Sequence, residues 1–128
     1  MKNVTPKVCP CGHQVAYEQC CGRFHLQSPA PDAEALMRSR YSAYVLGLED
    51  YLLATWHATT RPQQLELSEP PLPKWLGLEV KAHHASGDSA TVEFVARCRV
   101  GGRARRMHEV SRFVREDGVW YYLDGVVD

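Results

Sequence analysis

Four of the five cysteines in this 128-residue chain fall between positions 9 and 21, as Cys9-Pro-Cys11, eight intervening residues, then Cys20-Cys21. That crowding constrains the amino-terminal fold more than any other feature. A soft divalent ion takes four thiolate or imidazole ligands in a tetrahedron, and an eight-residue loop lets two close pairs converge on one centre. Cys9, Cys11, Cys20 and Cys21 are therefore the predicted ligands of zinc, with iron as the alternative that tetrahedral sulfur also accepts. All four positions are then filled by protein, which leaves no place for metal-bound water and makes the predicted site structural. A segment of roughly 25 residues buries too little apolar surface to fold alone, and metal binding supplies the missing free energy. His25 is a possible replacement ligand for Cys21. The competing reading is a disulfide framework, weakened by the odd cysteine count and by residues 1–8, which are too polar for a secretory signal. A cytoplasmic location follows as an expectation, with thiols kept reduced. No apolar run approaches the ~20 residues of a bilayer span.

The remaining composition suits a compact domain. Fifteen basic and fifteen acidic residues balance, which argues against wholesale coating of DNA or an anionic membrane, and there are no internal repeats. The proline-containing run at 27–31 reads as a linker. The predicted organisation is a knuckle at 1–25, a linker at 26–31 and an α+β domain at 32–128.

Asp32 is a good N-cap, and Ala33, Leu36, Met37, Tyr41, Tyr44, Val45 and Leu48 follow at helical spacing, with Gly47 as the stop. A shorter helix is predicted from Asp50, carrying Tyr51, Leu52, Leu53 and Trp56 and ending before Pro62. The proline-rich stretch at 69–73 is an irregular crossing. From Trp75 the period becomes two, with Leu76, Leu78, Val80 and Ala82 predicted on one face. Turns at Ser86-Gly87-Asp88, Gly101-Gly102 and Asp117-Gly118 divide the rest into a four-stranded antiparallel meander. The predicted fold class is α+β, two helices covering one face of a curved sheet.

The string Cys9-Pro-Cys11-Gly12, then Tyr17, then Cys20-Cys21-Gly22 resembles the SEC-C motif, the zinc-binding tail of the SecA translocation ATPase. In that family the tail binds the export chaperone SecB. Here His13, Gln14, Val15 and Ala16 stand where the family continues with Ser-Gly and lysines, so most of the cationic surface such a partner would meet is missing. The domain beyond resembles the cone-shaped nuclear transport factor two-like proteins. The runs at 36–44, 50–52, 55–57, 111–116 and 120–125 are similar to the YchJ family of bacterial proteins, which implies a fold but transfers no activity.

Two-residue turns imply registers with Ser111 opposite Asp124, Phe113 opposite Tyr122, Arg115 opposite Trp120, Phe94 opposite Glu109, Ala96 opposite Met107 and Val92 opposite Ser111. That face is apolar except for Glu109 and Asp124, which need partners because an unpaired buried charge costs several kcal/mol. Arg38, Arg40 and His57 are the candidates, with Tyr41 and Ser111 beside them. One reading is a cone cavity binding a small molecule, Asp124 or Glu109 acting as base near His57. The other is a structural ion-pair network fixing helix to sheet. Arg97, Arg99, Arg103, Arg105 and Arg106 crowd the Gly101-Gly102 hairpin, a basic patch that RNA or an acidic protein can meet, or plain solvated charge. His83 and His84 point to opposite strand faces and are read as surface residues, and Cys98 as a small inward hydrophobe. The leading functional expectation is a non-enzymatic module contacting a protein or the ribosome. The alternatives are a small-molecule binder or enzyme using the cone, and an RNA-binding accessory.

Overall fold

The computed structural model describes residues 8–26, 28–68 and 70–127. The expectations for 1–7, for Gln27 in the linker and for Glu69 in the proline stretch lie outside them. Among the described residues a 3-10 turn at Tyr17–Gln19 is followed by helices α1 (Cys21–Leu26), α2 (Ala33–Leu46) and α3 (Glu49–Ala54). Strands β1 (Lys74–Ser86), β2 (Ser89–Val100), β3 (Arg103–Glu116) and β4 (Val119–Val127) come next. The strands form one antiparallel sheet in the order β1-β2-β3-β4.

Helix α2 begins as its sequence requires. Asp32 Oδ1 accepts the Ala35 N–H at 2.8 Å, filling one of the orphan donors of the first turn. Gly47 closes the helix in the left-handed region (φ 73°), where a side chain would be strained. The next helix starts one residue earlier than predicted and stops before Trp56. The cause is a tertiary clasp: His57 N donates to Tyr122 O (2.7 Å) and Tyr122 N donates to Thr55 O (2.8 Å), pulling residues 55–57 onto β4.

The hairpins follow the turn chemistry. Gly101 and Gly102, and Asp117 and Gly118, all have positive φ, as a turn with two left-handed central residues demands. Phe94 faces Glu109, Ala96 faces Met107, Val92 faces Ser111, Phe113 faces Tyr122 and Arg115 faces Trp120, each as predicted. Two other expectations are overturned by bulges. Between Arg112 and Phe113 the pairing with β4 shifts by one, so Ser111 meets Gly125 and Asp124 meets Arg112. Leu123 is the extra residue there, and Asp124 turns away from the concave face. In β1, shifts between Trp75 and Gly77 and between Val80 and Ala82 make Leu76 and Lys81 the extra residues, so Ala82 pairs with Glu93 and leaves the face that Leu78 and Val80 share. Leu76 is left 47% exposed, while Trp75, Leu78 and Val80 pack inward.

The core lies between α2 and the sheet. Ala33, Leu36, Met37 and Tyr41 meet Ala90, Val92, Phe94, Ala96, Phe113 and Trp120. Leu36, Val92 and Phe113 are at most 2% exposed, each contributing roughly 1.5–3 kcal/mol by burial. Helix α2 is also buried on a second side, through Ser39, Ser42 and Ala43. Those side chains are small enough to let the amino-terminal segment approach closely. No helix of the described residues is long and apolar enough to cross a membrane.

Candidate metal centre and cavity

The amino-terminal knuckle is built from tight turns that aim sulfur inward. Val8 pairs with Ala16, Cys9 N donates to Val15 O (2.8 Å), and Gly12 N donates to Cys9 O (3.3 Å). Gly12 has φ 101°, and a Cβ there would press on Leu78 O, so the turn between the first cysteine pair and the loop needs glycine. On the other side Cys20 N donates to Tyr17 O at 3.0 Å, and a Cβ on Gly22 would sit 2.8 Å from that same carbonyl. Both glycines are therefore part of the machinery that closes the cage.

The four sulfurs of Cys9, Cys11, Cys20 and Cys21 lie within 4.8 Å of one another, and the residues are 0–5% exposed. Cys11 and Cys20 Sγ are 3.6 Å apart. A tetrahedral ion with metal–sulfur bonds of ~2.3 Å sets sulfurs ~3.8 Å apart, so the cluster has the right size as well as the right donors. Its electrostatics point the same way. The Cys21 thiol donates to Cys11, holding Cys11 down at about 4. Burial pushes Cys20 up to about 12, and Cys21 is raised because its proton serves Cys11. Without a cation the cage accepts one anion and resists others; a divalent ion among the sulfurs removes that penalty. The arrangement can hold a metal ion, and with four protein sulfurs it offers no vacant coordination position.

His25 has another task. Its Nδ1 meets Tyr17 Oη at 2.5 Å and its Nε2 meets Ser39 O at 2.8 Å, so both ring nitrogens bind protein groups other than the cage. The Tyr51 ring stands edge-on to it at 4.6 Å, and Tyr51 Oη bonds Ser39 Oγ at 2.7 Å. Burial lowers the His25 pKa, favouring the neutral ring these bonds need. His13 Nδ1 reaches Cys20 Sγ at 3.4 Å from the exposed loop. Ser42 Oγ lies 3.6 Å from Cys9 Sγ, and Leu78 packs on the cluster. The knuckle is thus docked on α2 and β1.

Arg38, predicted in the cone, instead serves this dock: Nη1 donates to Cys11 O (2.9 Å) and Nε to Glu34 (3.1 Å). Its position two residues before Arg40 places it on a different helix face. His57 is also elsewhere, between Thr59 Oγ1 (2.7 Å) and Glu116 Oε2 (2.8 Å), because the clasp to β4 points it away. Asp124 receives Arg112 through two bonds of 2.6 Å on the outer face, and that guanidinium lowers its pKa.

Four predicted residues do come together, Arg40, Tyr41, Glu109 and Ser111, in a cavity of about 310 Å3 beneath α2. From α2 it is lined by Met37, Arg40, Tyr41 and Tyr44. From the sheet come Trp75, Phe94, Met107, Glu109, Ser111 and Tyr122. Arg40, 5% exposed, donates through Nη1 to Leu52 O (2.8 Å) and Thr55 Oγ1 (2.6 Å). Its guanidinium lies over the rings of Tyr122 (4.5 Å) and Trp56 (5.1 Å), and desolvation lowers its pKa. Glu109 Oε2 accepts from Ser111 (2.5 Å) and Tyr122 (3.4 Å). The expected helix-to-sheet ion pair is therefore not made; each charge instead bonds neutral groups on its own side.

Sequence reasoning missed Tyr44, Trp75 and Gly125 as parts of this site. Tyr44 was findable, one helical turn beyond Arg40 on the same face. Gly125 gives the Glu109 carboxylate its room, since a Cβ there would force that side chain to move. The five arginines of the basic patch are all exposed around the β2–β3 turn, with Arg97 directly across from Arg106. Cys98 is half-buried and His84 exposed, while His83 is half-buried with Nδ1 3.7 Å from Glu34.

Residues 32–125 match the family model described as the YchJ middle NTF2-like domain. The chain belongs to the YchJ family. This YchJ-family chain is 60% identical over 126 residues to a UPF0225 protein of Methylibium petroleiphilum, covering 96% of this chain and 90% of the relative. It is 61% identical to one of Chromobacterium violaceum, covering 93% and 92%. A solution structure of a SEC-C motif containing protein from Rhodopseudomonas palustris is similar to it with TM-score 0.82 and 35% identity, over 95% of this chain and 98% of that one. A crystal structure of a SEC-C motif containing protein from Psychrobacter arcticus gives TM-score 0.73 and 30% identity, over 95% and 83%. Both likenesses span the YchJ-family domain and the knuckle together.

Proposed function

We propose that this protein is a non-enzymatic, cytoplasmic zinc protein whose knuckle is an interaction module for a protein or ribosomal partner. The observation that carries this reading is a closed sulfur cage bearing apolar side chains on its outside. Val8 is 53% exposed, Val15 45% and Leu26 83%, while the four cysteines are buried. Val8 pairs with Ala16 and Val15 with Cys9 across the bridge that closes the loop, so both valines are held by the knuckle's own backbone. The cage fixes such a surface without taking part in chemistry. Zinc is favoured over iron because a structural tetrathiolate needs no redox activity, and absorption spectra of the purified protein separate the two.

The test is affinity capture with the intact protein beside a Val15→Glu, Leu26→Glu variant, metal content being measured in both and captured material being treated with ribonuclease. A partner lost from the variant while one equivalent of zinc is retained supports the proposal. Recovery of the same partners by both proteins, or purified material without metal, overturns it. A second reading is favoured by the cavity under α2: a small-molecule site whose two charged groups, Arg40 and Glu109, do not pair with each other.

A further inference from the structure

The cavity carries more chemical information than its volume. At about 310 Å3 it is at the lower end of the range for small-molecule sites. Its walls are mostly rings and thioethers, Tyr41, Trp75, Phe94 and Tyr122 with Met37 and Met107. Two charges interrupt them. A guanidinium has five N–H groups, and Arg40 uses both on Nη1 for Leu52 O and Thr55 Oγ1. The Tyr44 hydroxyl also bonds the guanidinium, and the N–H groups that remain make no ion pair with Glu109 among the described residues. A carboxylate accepts about four bonds, and Glu109 takes two, both on Oε2. Donor capacity on one wall thus faces acceptor capacity on the other across an apolar gap.

The structural alternative is an ion pair locking helix to sheet, and the geometry lacks it. Arg40 is tied back to α3 and Thr55, whereas Glu109 is tied along β3 and to β4. Gly125 keeps space open for the carboxylate. Because one cation and one anion already balance, a charged ligand would unbalance the cup and lose its own hydration. A neutral one does neither.

Resting on the small-molecule reading of the cavity, we propose that it binds an uncharged, flat ring compound carrying an N–H or O–H donor for Glu109 and a carbonyl-type acceptor for Arg40. Lactams, hydroxylated quinones and nucleobase-like heterocycles belong to this class. Ring faces stack on Trp75 and the tyrosines, and the two polar edges satisfy the two charged walls. No covalent step is involved.

The experiment is an amide-shift NMR titration of the metal-loaded full chain with two probes, 2-quinolinone and N-methyl-2-quinolinone, in which a methyl group replaces the donor hydrogen, the Glu109→Leu variant separating the lost bond from the added bulk. We expect shifts at α2 and the concave strands and about a five-fold preference for 2-quinolinone, the worth of one hydrogen bond. The preference disappears in Glu109→Leu, and both probes are excluded by Ala96→Leu, which fills the floor of the cavity. Equal binding of both probes in the wild-type cavity overturns the donor–acceptor assignment and leaves the small-molecule reading standing. Absence of cavity shifts with either probe up to about 5 mM, where fragment-sized ligands register, overturns both. The wild-type comparison decides even where a variant fails to fold.

Discussion

Stripping the metal should weaken the whole protein and not only its first twenty residues. The reason is the dock between knuckle and helix α2. Three polar contacts cross it: His25 Nε2 to Ser39 O, Arg38 Nη1 to Cys11 O, and Ser42 Oγ to Cys9 Sγ. At about 1 kcal/mol for each net hydrogen bond, their loss amounts to about 3 kcal/mol, before counting the cover removed from Leu78. In a chain of this length, 1 kcal/mol moves the melting temperature by about 3–4 °C, so chelation under reducing conditions should lower the main transition by about 10 °C. Differential scanning calorimetry of loaded and stripped protein measures the shift, and the Cys11→Ser, Cys20→Ser double variant should reproduce it. Amide hydrogen exchange adds a local readout, since residues 38–43 should lose protection that the concave strands keep. An unchanged main transition together with unchanged exchange in α2 would refute the coupling and make the knuckle an independent appendage.

Other outcomes follow from single sites. Gly125→Val places side-chain atoms on the Glu109 carboxylate and should cost about 1–3 kcal/mol, read as a lower denaturant midpoint with unchanged slope. Arg40→Lys loses the planar group lying over Tyr122 and Trp56 and should cost about 2 kcal/mol in the same assay. Burial raises the pKa of Tyr41, Tyr44, Tyr51 and Tyr122. A raised folded value means that their contribution is complete below the unfolded value of about 10 and is lost as pH rises past it. Tyrosinate absorbance at alkaline pH should therefore appear for these phenols together with cooperative unfolding, and early non-cooperative ionisation would contradict it. Replacing exposed Arg103, Arg105 and Arg106 with serine should change stability by less than about 0.5 kcal/mol in thermal melts. Any retention of single-stranded RNA through this hairpin should lose about 2 units of log–log salt slope in that variant.

The parts of the fold that depend on local chemistry were readable from residues alone. Asp32 and Gly47 bound α2, and glycine at 101, 102 and 118 sets hairpin turns that in turn bring Glu109 opposite Phe94. The cysteine spacing brought the four sulfurs into one cluster. What resisted reading was tertiary. Leu123 and Leu76 look like ordinary strand residues, and nothing in their side chains marks them as the extra members of bulges. Asp124 was therefore assigned to the wrong face. Ser39 and Ser42 suggest a solvated helix side until the knuckle is seen to cover it, and Arg40, expected to pair with a carboxylate of the sheet, is instead held by Leu52 O and Thr55 with Trp56 closing over it. Trp56 was assigned to a helix because the clasp from Tyr122 is 66 positions away in sequence.

The supernumerary Leu123 has a consequence for how this scaffold can diversify. It decides how many acids the hollow contains without changing any acid. Drawing that one residue into the ladder opposite Arg112 would carry Asp124 to the position across from Ser111 and give the hollow two carboxylates, while leaving Arg112 outside without its partner. A one-residue slip in the last strand is thus a route by which relatives could retune the chemistry of the chamber with every lining side chain left intact.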